Sequence, residues 1–152
     1  MLKPILLVED NPNDLELTLI ALSKSQLANQ VIVVRDGAEA LDYLRRRSEY
    51  ASRPAGNPAV VLLDLKLPKV DGLEVLRNIR STDGLKSLPV VMLTSSKEEQ
   101  DLVRSYELGV NAYVVKPVDF SEFVRAIADL GIFWAVLNEP PPGSQRYVKP
   151  NR

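Results

Sequence analysis

Five short apolar runs recur along this chain: Ile5-Leu6-Leu7-Val8, Val31-Ile32-Val33-Val34, Ala59-Val60-Val61-Leu62-Leu63, Val90-Val91-Met92-Leu93 and Ala112-Tyr113-Val114-Val115. Each is four or five residues long, rich in Val, Ile and Leu, and none alternates with polar residues. Uninterrupted strands of this length are buried on both faces, as in a parallel sheet covered by helices. The segments between them carry helical period. Leu15, Leu19 and Leu22 stand at i, i+4, i+7, and Phe120, Phe123, Val124 and Ile127 at i, i+3, i+4, i+7.

The helix starts repeat as well. Asn11 precedes Pro12 and Asp14, Asp36 precedes Glu39, Asp71 precedes Glu74, Ser96 precedes Glu99, and Asp119 precedes Glu122. A capping side chain followed three residues later by a carboxylate satisfies free amide donors and complements the helix dipole. Pro12 suits the first helical position, where a missing N–H costs nothing. Five starts after five strands predict an α/β class, a (βα)5 three-layer sandwich. No internal repeat is present. Residues 47–58 form a long loop between the second helix and third strand, and a Pro-rich extended tail is expected over 139–152, after a folded domain spanning 1–138.

The chain has 152 residues, enough for one domain with a core of its own. Its formal net charge of -1 argues against a general nucleic-acid or membrane-surface binder. No run approaches the roughly 20 apolar residues of a membrane span, and the first residues do not resemble a signal peptide. A cytoplasmic location is the expectation. There is no cysteine and no histidine, so thiolate chemistry and the commonest general base are absent. The remaining oxygen donors suit hard cations such as magnesium.

Four of the five runs end at residues suited to handling phosphate: Glu9-Asp10, Asp64, Thr94 and Lys116. In an open parallel sheet the carboxyl ends of the strands line one edge, where ligands bind. Glu9, Asp10 and Asp64 would bring three carboxylates together, and a divalent cation relieves their repulsion. The plainer reading makes the Glu9-Asp10 doublet a helix start, but Asn11 already supplies that cap. Asp71 likewise takes the capping role and frees Asp64, whose carboxylate can act as a nucleophile toward phosphorus. Thr94 reads either as a loop hydroxyl or as a donor to a phosphoryl oxygen. Lys116 reads either as a solvated lysine or as the point charge a phosphate needs. Its bond to Pro117 is a candidate cis peptide. Tyr113 reads as a half-buried strand aromatic.

Val8-Glu9-Asp10-Asn11, Leu62-Leu63-Asp64-Leu65, Leu67-Pro68 with Asp71-Gly72, Thr94-Ser95 and Lys116-Pro117, in this order, resemble the receiver domain of bacterial two-component response regulators. The resemblance covers residues 4 to about 137 and implies a flavodoxin-like fold with strand order 2-1-3-4-5. It also implies that Asp64 accepts the phosphoryl group. Magnesium would be held by Asp10 directly, Glu9 through water, Asp64 and the main-chain carbonyl of Lys66. Thr94 and Tyr113 would be the switch pair and Lys116 the phosphate partner. A basic side chain at Lys66 departs from the family pattern, at a position that affects how fast water reaches the phosphoaspartate. The 47–58 loop and the ending Phe133-Trp134-Ala135-Val136-Leu137-Asn138-Glu139-Pro140 further resemble regulators paired with phytochrome-type histidine kinases.

The last helical segment is apolar nearly all round from Ile132 to Leu137. A helix on one sheet face needs only one stripe. The surplus predicts either a homodimer, through the fourth helix, fifth strand, fifth helix and C-terminal segment, or a tail folded back over Trp134. The function expected is phosphoryl acceptance from a sensor histidine kinase, answered by a change of partner or dimer state, with no DNA-binding output and no turnover as an enzyme. Two rivals stand beside it. One is an aspartyl-phosphate phosphatase, disfavoured because Lys66 stands where such enzymes place a second Asp. The other is an unphosphorylated scaffold of the same fold, disfavoured by the complete set of strand-end residues.

Overall fold

The computed structural model describes residues 3–24, 29–95 and 98–116, together with helical positions 121, 122, 125, 126 and 129. Strands β1 (Ile5–Val8), β2 (Val31–Val34), β3 (Val60–Leu63), β4 (Val90–Thr94) and β5 (Ala112–Val115) alternate with helices α1 (Pro12–Lys24), α2 (Gly37–Arg45), α3 (Gly72–Ser81) and α4 (Glu99–Glu107). All neighbouring strands pair in parallel, in the order β2-β1-β3-β4-β5. This is the flavodoxin-like order that the family resemblance implies. The chain winds from β1 outward to β2, then crosses back to β3 and continues the other way. The reversal leaves β1 and β3 side by side with their carboxyl ends at the switch point of the sheet.

Alternate residues of each strand feed two cores. Leu6, Val8, Val61, Leu63, Val90 and Met92 pack with Leu41 and Leu44 of α2 and Val75, Leu76 and Ile79 of α3. Ile5, Leu7, Val60, Leu62, Val91 and Leu93 pack with Ala21 and Leu22 of α1, and with the half-buried Leu15 and Leu19. The three central strands are buried along their whole length, whereas β2 and β5, at the edges, are largely half-buried. Full burial on both faces is what the non-alternating runs require.

Three caps form as the sequence implies. Asn11 Oδ1 accepts from the Asp14 backbone N–H at 3.0 Å, Asp36 from that of Glu39 at 2.7 Å, and Asp71 from that of Glu74 at 3.0 Å. The fourth differs. Ser96 should start its helix at the next residue, yet α4 begins at Glu99, with Glu98 in the cap position and no side-chain cap bond. Ser96 and Asp119 themselves lie outside the described residues, as do the stripe residues Phe120, Phe123, Val124 and Ile127, the apolar surplus at 132–137 and the tail 139–152. No described peptide bond is cis, and the Lys116–Pro117 bond falls outside them.

The 47–58 loop has structure of its own. Ser48–Tyr50 form one 3₁₀ turn, and Arg53 reaches back to the end of α2. Its Nε donates to Tyr43 O at 2.7 Å, an Nη donates to Leu44 O at 3.3 Å, and the guanidinium stacks 4.3 Å from the Tyr43 ring centre. Helix ends leave carbonyls short of donors, and here an arginine from the following loop bonds Leu44 O and adds a donor to Tyr43 O, which also accepts from the Arg46 backbone N–H.

Candidate functional site

The strand-end residues are held by continuation of the sheet ladder. The backbone N–H of Glu9 donates to Val34 O at 3.1 Å, that of Asp64 to Val8 O at 3.1 Å, and that of Lys116 to Thr94 O at 2.7 Å. Residues that follow three different strands are thereby set along one edge without needing contacts between their side chains. Below Asp64 the chain turns sharply into α3. A Cβ on Gly72 would lie 2.2 Å from Asp64 O, so only glycine allows this approach.

The side chains then converge. Lys116 Nζ bonds to Glu9 Oε1, and lies 3.0 Å from Asp14 Oδ2 and 3.4 Å from Asp64 Oδ2. Carboxylate oxygens of Glu9, Asp10 and Asp64 lie within 4.8 Å of one another. Glu9 is 2% exposed, and its second oxygen accepts from the Asn11 backbone N–H at 3.3 Å. Burial, then the neighbouring Asp64 carboxylate, push the Glu9 carboxyl up from 4.5 to about 7, against the pull of Lys116. Burial opposes the Lys116 ammonium, but Glu9, Asp64 and Asp14 outweigh it and hold its pKa above the ordinary value. One ammonium is therefore too little charge for this edge. The shortfall, the oxygen-only donors and their mutual spacing fit a hard divalent cation held by Glu9, Asp10 and Asp64.

Lys66 is exposed and lines a cleft of about 620 Å³ beside Asp10, between the β3–α3 turn and the start of α4 at Glu98 and Asp101. Thr94 is buried at the end of β4. Tyr113 is half-buried on the α2–α3 side of the sheet, opposite Met92. The structure thus gathers Glu9, Asp10, Asp64 and Lys116 tightly, and puts Thr94 on the same edge and Tyr113 one turn of the pleat back. Two contributors are absent from the sequence reading of the site. Asp14 appears there only as a first-turn carboxylate, yet it bonds Lys116. Arg35, just past β2, donates from Nη2 to Asp10 O at 3.4 Å. Asp14 lies in the first turn of α1, directly after the β1 end that carries Glu9 and Asp10, a nearness in sequence that hints at its place. Arg35 has no comparable signal.

Residues 5–128 match the family of the response regulator receiver domain. The response regulator Rcp1 of Synechocystis sp. is 41% identical over 132 residues, covering 87% of this chain and 88% of that protein. Its Mn²⁺-bound structure aligns with a TM-score of 0.83 over 91% of this chain and 99% of that one. The bacteriophytochrome response regulator RtBRR is 74% identical, with a TM-score of 0.77 over 95% of this chain and 87% of that one. The phosphorylated cyanobacterial phytochrome response regulator RcpA is 42% identical, with a TM-score of 0.85 over 93% and 99%. Among the described residues no helix is long and apolar enough to cross a membrane. With its strand order, its acidic edge and these relatives, the chain belongs to the response regulator receiver domain family.

Proposed function

We propose that this chain accepts a phosphoryl group on Asp64 from a phytochrome-type sensor histidine kinase. The observation that carries the reading is the contact of Lys116 with both Glu9 and Asp64 at the β1–β3 switch point, beside Asp10. RcpA, of the same fold, is a phytochrome response regulator solved in phosphorylated form, and RtBRR is a bacteriophytochrome response regulator.

In this account an Asp64 carboxylate oxygen attacks the phosphorus of a kinase phosphohistidine in line. The P–N bond breaks, its electron pair leaves with the imidazole, and the new O–P bond forms an acyl phosphate. Glu9, Asp10, Asp64 and the Lys66 main-chain carbonyl would hold a magnesium ion, which would supply neutralisation of charge on the transferring group. Lys116 and the Thr94 hydroxyl donate to phosphoryl oxygens. The charge added to the edge favours the arrangement in which Thr94 turns toward it and Tyr113 follows, so that the α4–β5 surface changes its preference among partners. Leu102, Val103 and Tyr106 of α4 are 38%, 46% and 53% exposed, apolar area that suits such a surface. A homodimer through α4, β5, the following helix and the C-terminal segment is its proposed readout. The protein acts as a signal carrier in the cytoplasm, not as a turnover enzyme.

Phosphotransfer profiling against the histidine kinases of the same genome tests the partner. Fastest transfer from a phytochrome-type kinase is expected. Preferential transfer from an unrelated kinase would remove the phytochrome assignment while leaving the acceptor in place. Light scattering before and after phosphorylation tests the dimer, and a monomer in both states would end it.

A further inference from the structure

Among the described residues Asp14 touches the site through a single partner, Lys116. Its Oδ2 lies 3.0 Å from Lys116 Nζ, closer than the 3.4 Å between Lys116 Nζ and Asp64 Oδ2. An ammonium has three donors, and Glu9, Asp14 and Asp64 are three acceptors around it. Asp14 is not one of the carboxylates grouped closely enough to hold a cation, which among the described residues are Glu9, Asp10 and Asp64. The two anchors of the lysine also differ. The Glu9 side chain is 2% exposed, whereas that of Asp14 is 36% exposed at the rim, where water can replace a lost partner at small cost.

We propose that Asp14 is a positioning residue that competes with the phosphoryl group for Lys116, an inference that rests on the phosphoacceptor reading above. In the resting chain Asp14 draws the ammonium toward α1 and away from Asp64. Once Asp64 carries a phosphoryl group, its oxygens need the donor that Asp14 holds. Glu9 keeps its bond, Asp14 yields its own and turns to solvent. The resting Asp14–Lys116 contact therefore opposes occupancy of the site, and removing it should tighten binding of a phosphoryl-like anion. A merely structural Asp14 would have the opposite effect, because losing it would loosen Lys116.

The full chain is titrated with beryllofluoride, a phosphoryl mimic, at saturating magnesium, and binding is followed by calorimetry. Asp14→Ala is expected to bind about three- to tenfold more tightly than wild type, and Asp14→Asn, which keeps an acceptor without the charge, by less. Asp101→Asn removes a charge from the adjoining cleft and serves as the control for general charge repulsion, with less than about a twofold change expected. Unchanged or weaker binding in both Asp14 variants overturns the proposal, and so does an equal gain in Asp101→Asn. If wild type binds through Asp64 and the Asp14 variants gain nothing, this inference alone falls. If wild type shows no binding that Asp64→Asn abolishes, the phosphoacceptor reading falls and takes this one with it.

Discussion

The Lys116 ammonium is bonded to the Glu9 carboxylate, joining the end of the last strand to the end of the first across 107 positions of sequence. Both side chains are largely buried, at 9% and 2% exposure. Taking away the cation leaves a buried carboxylate beside Asp64 and Asp10. Lys116→Met is therefore expected to lower metal-free stability by about 2–4 kcal/mol near neutral pH and above. The loss should shrink at about pH 5.5, where Glu9 takes up a proton in place of its partner. Urea unfolding at the two pH values checks this, and an equal loss at both contradicts it.

Glu9 also sets a pH dependence in the wild-type chain. Its carboxyl lies at about 7 in the folded state against an ordinary 4.5, so the folded protein holds this proton more tightly than the unfolded one. The stability contributed by that difference is complete below 4.5 and is lost as pH rises through about 7. A cation needs the ionised carboxylate and must displace the proton below that point. The rise in melting temperature on adding magnesium should therefore be larger at about pH 8 than at about pH 6. Thermal unfolding with and without magnesium at the two pH values measures it, and a shift of equal size at both would exclude Glu9 from the cation site.

Gly72 is pressed against the turn that carries Asp64, with its N–H donating to Leu65 O at 2.8 Å. An added methyl would meet the Asp64 carbonyl, the Leu65 Cα and the Leu65 carbonyl, all within 2.9 Å. Gly72→Ala must displace backbone, with an expected cost of about 2–3 kcal/mol. Because the displaced atoms belong to the acceptor itself, phosphorylation should slow at temperatures where the variant is still folded. Denaturation and initial phosphorylation rates, measured on the same sample, would separate the two effects. An unperturbed rate would mean that the turn absorbs the methyl without moving Asp64.

Arg53 offers the reverse case, a large structural effect with no consequence for the acidic edge. It bonds two carbonyls at the end of α2, two more within its own loop, Pro54 O at 2.8 Å and Gly56 O at 3.0 Å, and stacks on Tyr43. Arg53→Ala should destabilise by about 2–3 kcal/mol, and Arg53→Lys should not restore it, because a lysine lacks the planar fork. Phosphorylation of the folded fraction should be unchanged. A loss under about 0.5 kcal/mol would show that the loop holds its shape without Arg53.

These residues also show where sequence reasoning succeeds. Glu9, Asp64 and Lys116 could be found because each follows an uninterrupted apolar run, and parallel pairing must bring such ends to one edge. Caps at Asn11, Asp36 and Asp71 could be found because the side chain and the amide it serves are three residues apart. Ser96 has the same spacing to Glu99, yet α4 starts at Glu99, so a local signature placed a boundary that the packed structure moved. Asp14 was hidden by its own suitability as a first-turn carboxylate, a role that accounts for it fully until Lys116 is in view. The bonds of Arg35 and Arg53 go to backbone carbonyls that every residue possesses, so no pattern of side chains announces them.

The central claim is that Asp64 is the acceptor, and site mapping tests it most directly. The chain is incubated with acetyl phosphate and magnesium, the acyl phosphate is reduced with borohydride, and the modified residue is located by peptide mass spectrometry. Modification at Asp64, dependent on magnesium and absent from Asp64→Asn, is the result expected. Reduction product at another carboxylate in the wild-type chain, or undiminished phosphate in Asp64→Asn, would contradict it.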